Sequence, residues 1–294
     1  MKCFYTLKST WEIDFIKNTI FNNKFEFEDF QHNNIDYYTS NTELYDNCIV
    51  VYSTFYASGI NNMSTIVKNI RPRILILLSD EFGMFPNLME LSKYTRLLLH
   101  NYNHSHYKYY ENCIQLPLGY VSGFLNNVTN IRDCKTIAER KYNCSFIGEI
   151  KSDRKEMCDL FAANMENTCI NTVKNSWNLS NLKISPEDLY NIYSDSIFVI
   201  NGRGNHTLDC FRIYEAIVSG AIPVIVATEK EINDTFCYNG YKPFFIYDVS
   251  WQKALEQCLS ILKNKQQLQT IQNINFKWWN LKIHFIQDKI MQCM

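Results

Sequence analysis

The sequence has no Cys-x-x-Cys pair, no excess of either charge and no apolar run near the roughly 18 residues that a membrane span needs. Its eleven cysteines are odd in number and scattered, which excludes a zinc ribbon or disulfide frame and marks them as buried, reduced thiols. The first ten residues contain no uninterrupted apolar stretch of the secretory kind, so a soluble, cytoplasmic protein without a membrane span is expected. Asn-x-Ser/Thr sequons at Asn62, Asn127 and Asn178 carry no weight in a chain with 33 asparagines. That count, with 32 isoleucines, resembles translation from an AT-rich genome, such as that of a large DNA virus, more than a structural demand. With 29 basic against 30 acidic residues, the chain lacks the field that holds a polyanion by counterion release, which argues against a nucleic-acid partner.

What is present is a large apolar content. Of 294 residues, 46% are hydrophobic and 15% aromatic, which excludes disorder. A chain of this mass hides roughly three-quarters of its unfolded surface, enough for two ordinary cores. Short apolar runs (Cys48–Ser53, Ile74–Leu78, Arg96–His100) alternate with helix-period stretches (Met63–Ile70, Leu88–Tyr94). Continuous apolar runs between helices mark parallel strands covered on both faces. A polar stretch over 126–141 then separates this α/β half from a second one beginning at Tyr142. The boundaries expected are 1–135, 136–265 and a helical tail over 266–294 that packs back on the domains. In the second half the spacing gives a helix over 153–164, a strand near Ile170, a helix opened by Ser185-Pro186-Glu187-Asp188, and strands at 197–200 and 222–226. Trp251, Ala254, Leu255, Cys258, Leu259 and Leu262 share one helical face. Trp278 and Trp279 read as core anchors of the last helix.

The most informative segment follows strand 197–200. Asn201-Gly202-Arg203-Gly204-Asn205-His206 is a Gly-x-Gly turn expected to open a helix. Two glycines permit close backbone approach to a ligand, and unpaired N–H groups at a helix start suit an anion such as a diphosphate. The turn is neither a Walker loop nor a full dinucleotide fingerprint. The helix after it is apolar nearly all round except for Asp209, Arg212, Glu215 and Ser219, spaced three, three and four apart. Such a stripe on a buried helix either satisfies itself as a ladder or faces a polar cavity. In the second case Arg212 meets phosphate oxygens and Glu215, one turn deeper, holds a ribose diol.

The stretches Ser185–Tyr190, Ser196–Ile200, Gly202-x-Gly204, Asp209–Ala216 and Gly220–Val224 resemble the carboxyl-terminal half of the exostosin-type glycosyltransferases. Upstream, Leu78–Glu81, Leu116–Tyr120 and Cys144–Gly148 followed by Arg154 are similar to the ribitol xylosyltransferase and chlorovirus xylosyltransferase branch. The resemblance implies an α/β fold of the glycosyltransferase B type, with two Rossmann-like domains facing a central cleft. It places the sugar nucleotide on the second domain and the glycan or glycoprotein acceptor on the first. Animal members carry a membrane anchor, and this sequence shows none.

Under that resemblance, an inverting transfer of a sugar, xylose by analogy, from a UDP-sugar needs a base and a cradle for the leaving diphosphate. Asp80 or Glu81, at the end of strand 74–78, would be the base, Asp80 preferred. Donor contacts fall to Arg154, Gly202, Arg203, Gly204, Asn205, His206, Arg212 and Glu215. No Asp-x-Asp occurs, so no metal and no other cofactor is expected. His100, His104 and His106 do not share one face as metal ligands would. With Tyr102, Tyr107, Tyr109 and Tyr110 nearby, and with Tyr120, they read either as ordinary surface aromatics or as an acceptor platform. The alternative is a catalytically inactive sugar-nucleotide or glycan-binding module; a transferase acting on DNA bases lacks the basic patch it would need.

Overall fold

The computed structural model describes residues 2–6, 11–30, 34–40, 45, 47–54, 59–102, 110–126, 131–173, 184–238 and 240–294. The chain forms two compact units. The first runs to Leu118 and includes Asn205–Thr207 and Ile283–Met294; the second comprises Gly119–Gly204 and Leu208–Lys282. The change at Leu118 comes earlier than the polar stretch at 126–141 suggests.

In the first unit the strands are β1 (Lys2–Tyr5), β2 (Glu26–Asp29), β3 (Ile49–Ser53), β4 (Ile74–Leu78), β5 (Leu97–His100) and β6 (Cys113–Gln115). They pair in the order β2-β1-β3-β4-β5-β6, and every pairing is parallel. All residues of β3 and β4 are buried, which is why these segments read as unbroken apolar runs instead of alternating ones. Helices α1 (Ile35–Thr39) and α2 (Ile60–Ile70), with 3-10 turns over Pro86–Tyr94, accompany the sheet. Met63, Ile66, Val67 and Ile70 of α2 pack with Val50, Tyr52 and Leu75 in one core. Each such side chain contributes about 1.5–3 kcal/mol by leaving water.

The second unit holds β7 (Tyr142–Glu149), β8 (Thr168–Val173), β9 (Ser196–Asn201), β10 (Ile222–Val226) and β11 (Ile246–Asp248). Their order is β11-β10-β9-β7-β8, again all parallel. Chain order reverses between β7 and β9, so the carboxyl ends of these two strands form the switch point where open α/β sheets place their ligands. The helices are α3 (Arg154–Asn164), α4 (Pro186–Ser194), α5 (Phe211–Val218), α6 (Glu229–Phe236), α7 (Trp251–Ile261) and α8 (Lys265–Cys293). Helix α4 starts as its sequence dictates: Ser185 and Asp188 form a reciprocal capping box with Pro186 at the first turn. Trp251, Ala254, Leu255 and Cys258 of α7 enter the core, whereas Leu259 stays 40% exposed.

Trp278 and Trp279 are buried, and Trp278 stacks on Tyr214 while its Nε1 donates to the Phe236 carbonyl at 3.1 Å. All eleven cysteines are free thiols; five are fully buried, five are partly buried and Cys237 is exposed, so the expectation of wholly buried thiols is too broad. Among the described residues no helix is long and apolar enough to cross a membrane.

Candidate functional site

Helix α5 begins at Phe211, not at Asn205, and the intervening 202–210 segment is irregular. The helix-start donors therefore belong to residues after Cys210, and Asp209 lies ahead of the helical stripe instead of on it. The remaining stripe stands: Arg212, Glu215 and Ser219 share a face of a helix whose residues from Ile213 to Val218 are all buried.

Arg212 reaches the carboxyl end of β7. Its Nε donates to the Ile147 carbonyl at 3.0 Å, and its guanidinium lies 5.2 Å from the centre of the Phe146 ring. A side chain at Gly148 would bring a Cβ within 2.5 Å of Arg212 Nη2, so the glycine makes room for the guanidinium. Arg154, at the first turn of α3, is 4% exposed. It donates from Nη1 to Glu149 O at 3.1 Å and from Nη2 to Arg203 O at 2.8 Å. Gly202 is what allows this, because a Cβ there would sit 2.6 Å from Arg154 Cγ. The close approach expected of this glycine is thus to an arginine, and neither Gly202 nor Gly204 has positive φ. Arg203 points away: it pairs with Glu231.

Burial, and then the like charge of Arg212, push the Arg154 pKa down. Burial opposes the charge on Arg212 too, but Tyr193, Cys210 and Glu215 outweigh it and the net shift is upward. Among the described residues neither arginine has a carboxylate within ion-pair distance. Two like charges held near the β7–β9 switch point, with backbone carbonyls as their hydrogen-bond acceptors, are an arrangement that suits an anion.

Glu215 is 2% exposed and accepts from the Val121 N–H at 3.2 Å. Burial raises its pKa to about 7, against the opposing pull of that hydrogen bond and of Arg212. The folded state therefore holds a proton that the unfolded chain has released between about pH 4.5 and 7. This contribution to stability is present below pH 4.5 and is lost as pH rises toward 7, by about 3 kcal/mol in order of magnitude. The stability of Glu215→Gln relative to wild type should accordingly rise from pH 5 to pH 8, because only wild type must ionise the buried carboxyl; denaturant melts of both proteins at the two pH values check this.

Two polar atoms missed by sequence reasoning complete this region. The Tyr193 hydroxyl and Asn201 Oδ1 are buried with no hydrogen-bond partner among the described residues, the kind of group that a ligand or water satisfies. Tyr193 sits one turn after Leu189 on the buried face of α4, where its spacing is that of an ordinary core residue.

In the first unit, Asp80 is 7% exposed and is engaged by its own loop: it accepts from Met84 N at 2.9 Å and Phe85 N at 3.3 Å. Glu81 accepts from the Asn205 and His206 backbone N–H groups and, at 2.7 Å, from Asn205 Nδ2. His206 also packs on the Phe82 ring, with centroids 4.0 Å apart. Of the residues expected to line an acceptor platform, three are buried. His100 (5% exposed), Tyr102 (8%) and Tyr120 (2%) are core residues, with no ring face open to a sugar. His104, His106, Tyr107 and Tyr109 lie outside the described residues. No group of His, Cys, Asp or Glu among the described residues is arranged to hold a metal ion.

Residues 125–292 match the RXYLT1 C-terminal domain family. The chain belongs to that family. No curated protein sequence matches it. In fold the RXYLT1-family chain is similar to Anabaena Alr3699/HepE solved with UDP and glucose (12% identity, 99% of this chain and 98% of that one, TM-score 0.60). It is also similar to an α1,3-fucosyltransferase (12%, 100% and 89%, TM-score 0.53). A third relative in fold is the DNA-modifying β-glucosyltransferase (11%, 100% and 99%, TM-score 0.50). The fold is that of the glycosyltransferase B enzymes, and the RXYLT1-family chain is a glycosyltransferase.

Proposed function

We propose that the protein transfers a sugar, xylose by analogy with its family, from a UDP-sugar to a hydroxyl of a glycan or glycoprotein in the cytoplasm, with inversion and without a metal. The observation that carries the donor assignment is that Arg154 of α3 and Arg212 of α5 have no carboxylate within ion-pair distance among the described residues, with the buried Glu215 one turn along α5 from Arg212. HepE, similar in fold, was solved with UDP-glucose, which supports a uridine diphosphate donor. Arg212 takes the diphosphate, Glu215 the ribose diol, and Arg154 shapes the Gly202–Gly204 turn. The amides of Asn205 and His206 add neutral donors to the leaving group, and Arg203 reaches it by leaving Glu231. A base on Asp80 or Glu81 removes the acceptor proton as the acceptor oxygen bonds to the anomeric carbon and UDP departs with the bonding pair.

Two arginines and backbone amides supply the charge compensation that a divalent ion gives in other transferases, so activity should survive EDTA. Turnover of a UDP-sugar measured with EDTA and with added manganese or magnesium checks this. Equal rates support the metal-free reading; loss on chelation with recovery only on adding the ion refutes it.

A further inference from the structure

Glu81 occupies an unusual position for a residue offered as a base. Three N–H donors, two from the backbone of Asn205 and His206 and one from the Asn205 side chain, converge on its carboxylate. Successive main-chain N–H groups closing on one anion form a nest, and nests bind carboxylate and phosphate alike. The Phe82–His206 ring contact fixes the same two dipeptides together. Asp80, by contrast, is tied by both oxygens to the amides of its own loop, which makes it the residue that shapes the 80–85 turn. The 205–206 amides lie on the chain directly after the Gly202–Gly204 turn that Arg154 holds.

We infer that Glu81 is the base of the proposed transfer and that, without donor, its carboxylate rests on the amides that receive a donor phosphate. The donor diphosphate displaces it, and the freed carboxylate takes the acceptor proton. This rests on the donor reading above. It makes the base available only when the donor is bound, so the resting enzyme does not expose its carboxylate to adventitious hydroxyls. Asp80 is then a positioning residue for Glu81, not the proton acceptor.

The experiment is calorimetric titration of uridine, UDP and inorganic pyrophosphate into wild type, Glu81→Ala, Glu81→Gln and Asp80→Asn, with melting curves and turnover on the same samples. Removing the internal competitor should tighten UDP and pyrophosphate about tenfold in Glu81→Ala, the gain expected if the open amides are populated about one time in ten. Uridine affinity should not change. Glu81→Gln, which keeps an acceptor but not the charge, should gain less, and this variant decides the matter if Glu81→Ala does not fold. Turnover should fall about 100-fold or more in both Glu81 variants, while Asp80→Asn keeps the UDP affinity of wild type. UDP binding that is unchanged or weaker in both Glu81 variants, or near wild-type turnover in Glu81→Gln, overturns the inference and leaves the donor reading standing. Failure of wild type and every folded variant to bind UDP overturns the donor reading and the inference with it.

Discussion

Arg212→Ala should lower UDP affinity about 100-fold while leaving uridine affinity within about twofold, since charge-assisted hydrogen bonds to one phosphate oxygen are each worth about 1.5–3 kcal/mol. The direction follows from the geometry. Arg212 Nε donates to the Ile147 carbonyl and the guanidinium lies by the Phe146 ring and Cys210, but among the described residues no carboxylate is within ion-pair distance of it. Loss of the side chain also removes the like charge that, after burial, depresses the pKa of Arg154. A purely structural ladder would behave otherwise: Arg212→Ala would then melt earlier and bind uridine, UMP and UDP with equal losses. Titration of the three ligands into folded protein separates the outcomes.

A second large effect is expected at Arg140, which has no direct part in the chemistry. Its guanidinium, 7% exposed, ties four backbone carbonyls from distant parts of the second unit. Nη1 donates to Tyr193 at 3.2 Å and Ser196 at 2.7 Å, and Nη2 to Lys135 at 2.9 Å and Ser219 at 3.0 Å. These carbonyls close α4, open β9 and follow α5, so one side chain sets the relation of the helix bearing Arg212 and Glu215 to the strand beside it. Arg140→Met keeps the apolar stem but strands several buried acceptors at about 1–3 kcal/mol each. The loss should exceed about 4 kcal/mol, a large share of the 5–15 kcal/mol typical of a folded domain. Arg140→Lys should recover only part, because an ammonium cannot reproduce the planar fork. Denaturant unfolding of the three proteins measures this; a change below about 1 kcal/mol for Arg140→Met would contradict it. Gly220 supports the same clamp: it has φ of +77°, and a Cβ there would lie 2.5 Å from Arg140 Nη2.

Much of the fold was legible because both sheets are parallel. Strands such as β3, β4 and β10, buried along nearly their whole length, have to be apolar at every position, and that run is visible in one sequence. The capping box at Ser185 was legible for a similar reason, being a contact between residues three apart. The misplaced start of α5 shows the limit. Asn205 and His206 are held by Glu81, 124 residues away along the chain, and no local pattern announces a partner at that distance. Burial separates three of the expected acceptor residues from a sugar. His100, Tyr102 and Tyr120 are polar-tipped aromatics whose side chains serve a core as readily as a sugar, and only the packed fold decides which.

In the proposed donor site, spacing singled out Arg212 and Glu215 and the family resemblance singled out Arg154, but neither showed what these side chains touch. That Gly202 clears space for Arg154, and Gly148 for Arg212, is a matter of three-dimensional approach. Tyr193 and Asn201 escaped notice because each occupies a position that core periodicity already explains.

The central claim is that the second unit binds a UDP-sugar for transfer. Release of UDP from a panel of UDP-sugars, with and without mixed glycan acceptors, tests it most directly, using wild type beside Arg212→Ala. Acceptor-stimulated UDP release from at least one sugar, UDP-xylose foremost, and its loss in Arg212→Ala are the results expected. Absence of UDP release from every donor by folded wild-type protein, or equal release by Arg212→Ala, would contradict the claim.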